Sequence, residues 1–291
     1  MPTTLKATVN DIAFTAQLFK AATDEPKALL FCLPGGGAGA GFFDLAPDYS
    51  FAVRMTARGF DVMTMDHPGT VSNPLPEDHP FLTPRQSADY VAAALEEFAS
   101  YTTRPIIGIG HSMGGMMSTL LQAKHNAYVG LALLGSSAGG LDWGLTEEER
   151  EYIEKPEDFE RDIEALTLAK FKMPFPPSMG GPSGKSITFG GETEALNEAL
   201  RENACPLFAA GGMMSMTRGS FRQEVEAIDV PMFFAFGDHD IGIPPKDAPK
   251  DYINAPSAEL VILENTGHNS LAFSSIAALC QSLEDWAASI A

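Results

Sequence analysis

Pro105-Ile106-Ile107-Gly108-Ile109-Gly110-His111-Ser112-Met113-Gly114-Gly115-Met116-Met117 is a short apolar run that ends in a Gly-x-Ser-x-Gly turn and continues into helix formers. Strand, sharp turn and helix are the context that gives this motif meaning, because the turn puts the serine in strained backbone geometry at the mouth of a sheet. Glycine is required at 110 and 114, where a Cβ would collide with the neighbouring strand or helix. Ser112 is therefore a candidate nucleophile, and the rest of the chain should supply a base, an acid and an oxyanion site.

Outward from the turn, the chain alternates between strand and helix signals. Residues 3–9 and 11–19 alternate apolar and polar around Asn10-Asp11, an opening β-hairpin. A buried-strand run, Lys27–Leu33, ends at Pro34-Gly35-Gly36-Gly37. A helix is expected over 43–58, stopped by Gly59, then a strand over Asp61–Met65 and a turn at Asp66-His67-Pro68-Gly69. Thr83-Pro84-Arg85-Gln86 starts a helix with a capping box and proline at its first position, running to about Tyr101. After the strand at 105–110 come a helix from Met113 to about Asn126 and a strand at 128–135. Such alternation implies a mostly parallel sheet covered by helices on both faces. From about Gly139 to Ala227 no strand signal appears. Thr146-Glu147-Glu148-Glu149 caps an acidic helix, Phe159–Lys172 and Glu194–Asn203 have helical periodicity, 173–182 reads as a loop, and 209–216 is ambiguous. Strands resume at Pro231–Phe236 and Leu260–Leu263, before a last helix from about Leu271 to Ile290.

The 291 residues are 45% hydrophobic, enough for a full core, and no apolar stretch reaches the ~18 residues that cross a bilayer. The start, Met1-Pro2-Thr3-Thr4-Leu5-Lys6, lacks the basic and apolar regions of a secretory signal. Cys32, Cys205 and Cys280 are sparse, odd in number and outside any C-x-x-C, which argues against a disulfide framework or zinc site and fits a cytoplasmic protein. A net charge of −19 disfavours nucleic acid and anionic membranes as partners; it says little about the substrate, which is expected to be a small molecule. The oligomeric state stays open.

Two further segments complete a constellation. Phe236-Gly237-Asp238-His239-Asp240 ends one strand, and Glu264-Asn265-Thr266-Gly267-His268 ends the last. A hydroxyl needs a base within hydrogen-bond reach, and that base needs a carboxylate to fix its tautomer and stabilise the imidazolium. All candidates lie at carboxyl ends of parallel strands, and so on one edge of the sheet, where open α/β sheets bind ligands. A tetrahedral intermediate needs two backbone N–H groups. One is expected from Met113, at a helix N-terminus, and the other from Pro34-Gly35-Gly36-Gly37.

On these motifs, and on the order Ser, Asp, His, the chain resembles the α/β-hydrolase superfamily over about residues 3–138 and 228–291. The resemblance implies a mostly parallel sheet of about eight strands with helices on both faces. It makes Ser112 the nucleophile, His268 the base and Asp240, at the last position of Gly-x-x-Asp, the acid in preference to Asp238. It makes Gly36 the second oxyanion donor, with Gly37 next, although Pro34 stands where the family's loop usually has histidine. Asp66-His67-Pro68-Gly69-Thr70-Val71-Ser72 resembles a family turn that shapes the site entrance, with Val71 where glycine is common. No cofactor or metal is implied.

A second reading takes Gly35-Gly36-Gly37-Ala38-Gly39-Ala40 as a dinucleotide loop with Asp66 as its acidic partner. Asp66 lies farther along than the usual spacing of about twenty residues, and that reading leaves Ser112, Asp240 and His268 unexplained. A ligand-binding protein on the same fold is a further alternative. His111 reads as a packing residue beside the nucleophile, His67 and His239 as structural or solvated turn residues, and His79 and His125 as surface residues. Glu147–Glu149 with Glu151 and Glu154 reads as a solvated helix face.

In the resembling family an insertion after the sixth core strand is a cap over the site. That divides the chain into a core of 1–138 and 228–291 and a helical cap of 139–227. Apolar cap residues are Trp143, Leu166, Phe171, Met173, Phe175, Met179, Phe208, Met213, Met214 and Met216. Most should pack the cap on the core, but some must line the cavity, and Trp143, Phe171, Phe175, Met213, Met214 and Met216 are the candidates. Gly180-Gly181 and Gly211-Gly212 are candidate hinges. The substrate expected is a medium-sized, mainly apolar ester, lactone or thioester. The same triad also serves carbon–carbon bond hydrolysis, acyl transfer and perhydrolysis.

Overall fold

Asn10 and Asp11 both take positive φ (46° and 67°), the left-handed pair that a two-residue hairpin turn needs. They join β1 (Thr3–Val9) to β2 (Ile12–Phe19), paired from Thr3↔Leu18 to Val9↔Ile12. The computed structural model describes residues 1–70, 72–77, 80–98, 104–177 and 186–290. The strands that follow are β3 (Leu29–Leu33), β4 (Asp61–Met65), β5 (Ile106–His111), β6 (Gly130–Leu134), β7 (Met232–His239) and β8 (Ala258–Gly267). Among the described residues they form one eight-stranded sheet in the order β1-β2-β4-β3-β5-β6-β7-β8. The hairpin joins antiparallel through β2 and β4, and every pair from β4 to β8 is parallel.

Helices α1 (Phe51–Ala57), α2 (Pro84–Phe98) and α3 (Met113–His125) connect the early strands. Between β6 and β7 lie α4 (Glu147–Arg150), α5 (Pro156–Phe171), α6 (Glu194–Glu202), α7 (Ala209–Met216) and α8 (Arg222–Glu226). Helix α9 (Ile276–Ile290) follows β8. The central strands β3, β4 and β6 are buried throughout, and β3 and β6 read as continuous apolar runs. The period of two still sorts them. Leu29, Phe31 and Leu33 pack with Val91, Leu95, Met117 and Leu121 of α2 and α3. Leu30 and Cys32 pack with Phe51, Met55, Leu283 and Trp286 of α1 and α9. Each such side chain contributes about 1.5–3 kcal/mol on burial, and the two clusters hold the sheet from both sides.

Several boundaries differ from expectation, each for a local reason. The helix expected over 43–58 is broken into 3₁₀ turns at Ala40–Phe43 and Pro47–Tyr49, and α1 starts only after Ser50, whose side chain accepts from Val53 N at 2.9 Å. The last helix starts at Ile276, not near Leu271, because Ala272 O and Ser274 N are spent on Glu192. β8 extends well beyond Leu260–Leu263; as an edge strand it is half polar, and its apolar run understates it. The ambiguous stretch 209–216 is helical. The end of the helix near Tyr101, Val71, His79, Met179 and Gly180-Gly181 lie outside the described residues. No described helix is long and apolar enough to cross a membrane.

The segment between β6 and β7 is fastened to the sheet layer by charge as well as by apolar contact. Arg85, in the first turn of α2, donates bidentately to Glu224 of α8 (2.6 and 3.1 Å), to Glu160 of α5 and to Ser220 O (3.2 Å). The acidic helix is less solvated than its sequence implied. Glu149 completes the capping box with Thr146, is buried and accepts from Lys170 Nζ at 2.7 Å, while Glu154 pairs with Arg218 and Arg222. Arg85→Ala should cost about 1.5–3 kcal/mol, since charged hydrogen bonds are lost and two carboxylates left facing one another. Arg85→Lys should recover only part, because one ammonium cannot reproduce the fork. Urea unfolding with an unchanged slope checks both.

Candidate active site

Ser112 sits between β5 and α3 at φ 51° and ψ −123°, a backbone conformation that costs a non-glycine residue about 1–3 kcal/mol. The glycines around it explain why it is held there. A Cβ on Gly110 would stand 2.4 Å from Gly114 O, one on Gly114 2.2 Å from Leu33 O, and one on Gly115 2.3 Å from Ser136 Oγ. Strand and helix therefore approach to backbone contact. Ser112 N donates to Leu134 O at 2.9 Å, which ties the strained residue to β6.

The residues expected to serve as base and acid meet Ser112 across the edge of the sheet. His268, just past β8, brings Nε2 to 2.9 Å from Ser112 Oγ. Its Nδ1 lies 2.6 Å from Asp240 Oδ1, which also accepts from Ile241 N at 2.7 Å. Burial opposes the charge of Asp240, but the bonds from His268 and Ile241 outweigh it and hold the carboxyl below the usual carboxylate range. Asp238 is engaged elsewhere. Its two oxygens accept from Asn265 N (3.0 Å) and Thr266 N (2.9 Å), bracing the end of β8.

The glycine loop after β3 lies against the same turn. A Cβ on Gly35 would stand 3.1 Å from Ser112 Cβ, and one on Gly36 3.6 Å from Met113 Sδ. Met113 opens α3, so its N–H points out of the helix N-terminus, where the dipole favours negative charge. Gly37 takes φ 77° and its carbonyl accepts from Cys205 N at 3.0 Å. Pro34 does not leave the loop unsupported. His67 Nε2 lies 2.8 Å from Pro34 O, and Asp66 Oδ1 accepts from Ala40 N at 2.5 Å. The histidine that shapes the loop is thus supplied by the next strand's turn. Asp66 is bonded to Ala40 N, and the loop runs into 3₁₀ turns at Ala40–Phe43 and Pro47–Tyr49 where a dinucleotide loop would open a helix.

His111 is fully enclosed. It stacks on Phe42 (centroids 4.4 Å), and its Nε2 lies 3.0 Å from His268 O. A carbonyl only accepts, so Nε2 carries the proton. Burial first, and charge on the neighbouring His268 second, push its imidazole down to about 3. His67 is likewise lowered by burial. His239 is exposed at the end of β7, and His125 bonds Asp89 at the surface (2.8 Å).

The cavity beside Ser112 is small, about 30 Å³, and is lined by Gly135, Ser136, Ser137, Leu141, Ser215, Phe236 and Ile241 with Met113 and His268. None of the apolar residues nominated for it is there. Met213 and Met214 are wholly buried in the α2/α3 core cluster, and Trp143 is 64% exposed. Phe171 is half-buried against the same cluster, and Phe175 stacks on Phe208 above Gly69. Met216 packs on Gly144. The reason is the facing of α7, which turns Met213 and Met214 to the core and Ser215 to the cavity. Gly211 lies inside α7, and a Cβ there would stand 2.8 Å from Met113 Sδ, so it lets α7 approach α3 closely. Ser136, Ser137 and Ile241 were findable by the rule that located His268, since they too follow carboxyl ends of parallel strands, and Phe236 lies in the carboxyl half of β7.

The sequence model of the Alpha/beta hydrolase family matches residues 30–281. A curated relative, the pimeloyl-[acyl-carrier protein] methyl ester esterase of Vibrio cholerae, is 26% identical over 217 residues, 69% of this chain and 79% of that protein. Among solved structures, a soluble variant of the monoglyceride lipase of Saccharomyces cerevisiae has a TM-score of 0.69 at 17% identity, covering 99% of this chain and 96% of that one. An esterase from Thermogutta terrifontis has a TM-score of 0.65 at 14% identity, covering 100% and 99%. Likeness at those identities shows the fold; the family match over most of the chain shows more, and the chain belongs to the alpha/beta hydrolase family.

Proposed function

We propose that this protein is a serine esterase that cleaves a carboxylic ester, lactone or thioester of a mainly apolar small molecule through an acyl-enzyme on Ser112. The observation that carries this reading is the continuous chain of hydrogen bonds from Ser112 Oγ through His268 to Asp240 (2.9 and 2.6 Å). His268 Nε2 takes the proton as Oγ attacks the acyl carbon, and Asp240 stabilises the imidazolium and fixes its tautomer. The amides of Met113 and Gly36 hold the oxyanion. The imidazolium gives its proton to the leaving oxygen or sulfur; water, deprotonated by the same base, then releases the acid and restores Ser112. The relative that acts on a methyl ester supports the ester as the bond cleaved.

Residues 139–227 serve, in this reading, as the cap over a core of 1–138 and 228–291. A cavity of about 30 Å³ holds roughly one or two waters, so an acyl group enters as cap side chains yield, and Leu141 and Ser215 are the ones in place to do so.

Ser112→Ala should lower kcat by at least about 10⁴-fold, and Asp240→Asn by about the same through loss of the tautomer lock. Hydrolysis of p-nitrophenyl acetate, and loss of labelling by a fluorophosphonate in Ser112→Ala, check this. Ordinary turnover in Ser112→Ala would remove the mechanism. Leu141→Ala should shift preference toward longer acyl chains by about tenfold in kcat/KM, a methylene in a pocket being worth that order; a series from acetate to octanoate reads it. His111 takes no proton in this scheme, and its burial gives a separate signature. With its folded value at about 3 and an unfolded value near 6.5, the unfolded chain binds the extra proton. Its stabilising contribution is complete above about pH 6.5 and is lost progressively as pH falls toward about 3. His111→Gln should flatten stability against pH between those values in urea titrations.

A further inference from the structure

His268 lies beyond the last ladder pair of β8, His239↔Gly267, so the sheet does not fix its backbone. Its two peptide groups are held from opposite sides instead. His111 Nε2 donates to its carbonyl at 3.0 Å. Its N–H donates to Thr188 O at 2.6 Å, a carbonyl of the segment inserted between β6 and β7.

The contact with Thr188 is one of a series along residues 187–192. Asn269 Nδ2 donates to Phe189 O. Glu192 N donates to Ala272 O at 2.9 Å, and its carboxylate accepts from Ser274 N (2.6 Å) and Ser274 Oγ (3.1 Å). Gly267 is the floor of the contact; a Cβ there would stand 1.7 Å from Ile187 O. Helix α6 follows, capped by Thr193, and spans about 13 Å at the helical rise. At its far end the chain grips the other half of the site. Asn203 O accepts from Gly39 N at 2.7 Å, Cys205 N donates to Gly37 O at 3.0 Å, and Leu207 Cδ1 fills the space 2.8 Å from where a Gly36 Cβ would stand.

We propose that residues 187–207 form a positioning strap, which holds the base through the backbone of His268 at one end and the oxyanion loop at Gly36–Gly39 at the other. The catalytic geometry is then assembled only while the strap is docked. The inference rests on the reading of Ser112, His268 and Asp240 as a triad, and it makes Thr188, Glu192, Asn203 and Asn269 positioning residues for that reaction. A strap that only stabilised the fold would change unfolding temperature; one that sets the base must change kcat.

The test uses Gly267→Ala, which puts a methyl group into Ile187 O and leaves the His268 side chain intact, and Asn269→Ala, which removes the tie to Phe189 O. Each variant is assayed on p-nitrophenyl acetate and titrated with a fluorophosphonate. The strap predicts kcat and the labelling rate of Ser112 both reduced by about 10- to 100-fold, the range that misplacing a reacting group costs, with KM within about threefold of wild type. Circular dichroism and the unfolding temperature establish that the variants fold. If Gly267→Ala does not fold, Asn269→Ala and Glu192→Ala decide by the same criteria. Folded variants with kcat within about twofold of wild type, or with a change confined to KM, overturn the strap. Wild-type protein that a fluorophosphonate does not label at Ser112 overturns the triad reading itself, whatever the variants do.

Discussion

The positive φ of Ser112 is the constraint on which the site depends. A strand that delivers a side chain to the rim of a sheet would ordinarily run on or turn away gradually. Here the chain reverses within one residue, and α3 starts at the next. The reversal is possible only because Gly110, Gly114 and Gly115 let the backbones of β5, β3 and α3, and the side chain of Ser136, touch. The cost of the strained residue, about 1–3 kcal/mol, is offset by the burial of α3 against the centre of the sheet. Once the turn is fixed, the parallel order of the strands brings the loops after β3, β5, β6, β7 and β8 to the same rim.

Burial then sorts residues of one type into different states. Asp240 and Asp238 stand two residues apart at the end of one strand. Asp238 spends both oxygens on backbone amides, whereas Asp240 turns inward to His268 and keeps its charge against desolvation. Two imidazoles lie with ring centroids 4.9 Å apart at the site. His111 is enclosed and held neutral, and it donates to the backbone of His268; the latter reaches Ser112 with its side chain. An enclosed neutral ring beside His268 braces its backbone without offering a second basic nitrogen to Ser112.

The insertion between β6 and β7 is bound to the core at three places of different character. Met213, Met214 and Phe208 extend the apolar cluster of α2 and α3. Arg85 ties α2 to α5 and α8 through carboxylates. Residues 187–207 bond the segment after β8 that carries His268 and the glycine loop after β3. The same insert carries Leu141 and Ser215 on the wall of the cavity beside Ser112, so that wall and the ties to His268 belong to one stretch of chain.

Much of this was legible in the sequence, because the determining features are local. The hairpin at Asn10-Asp11, the turn at Ser112 and the capping box at Thr83 follow from backbone chemistry, and the order of Ser112, Asp240 and His268 from strand alternation together with the family resemblance. Capping and proline effects within a few residues decided the break near Pro47. What only the tertiary structure decided are relations between distant segments. It turned Met213 and Met214 to the core and Ser215 to the cavity, because helix facing is set by what α7 packs on. It gave Pro34 a supporting histidine from residue 67, and it laid a carbonyl at residue 188 on the amide of His268. Periodicity records that a helix has an apolar face; it does not record which neighbour that face meets, and backbone carbonyls carry no sequence signature at all.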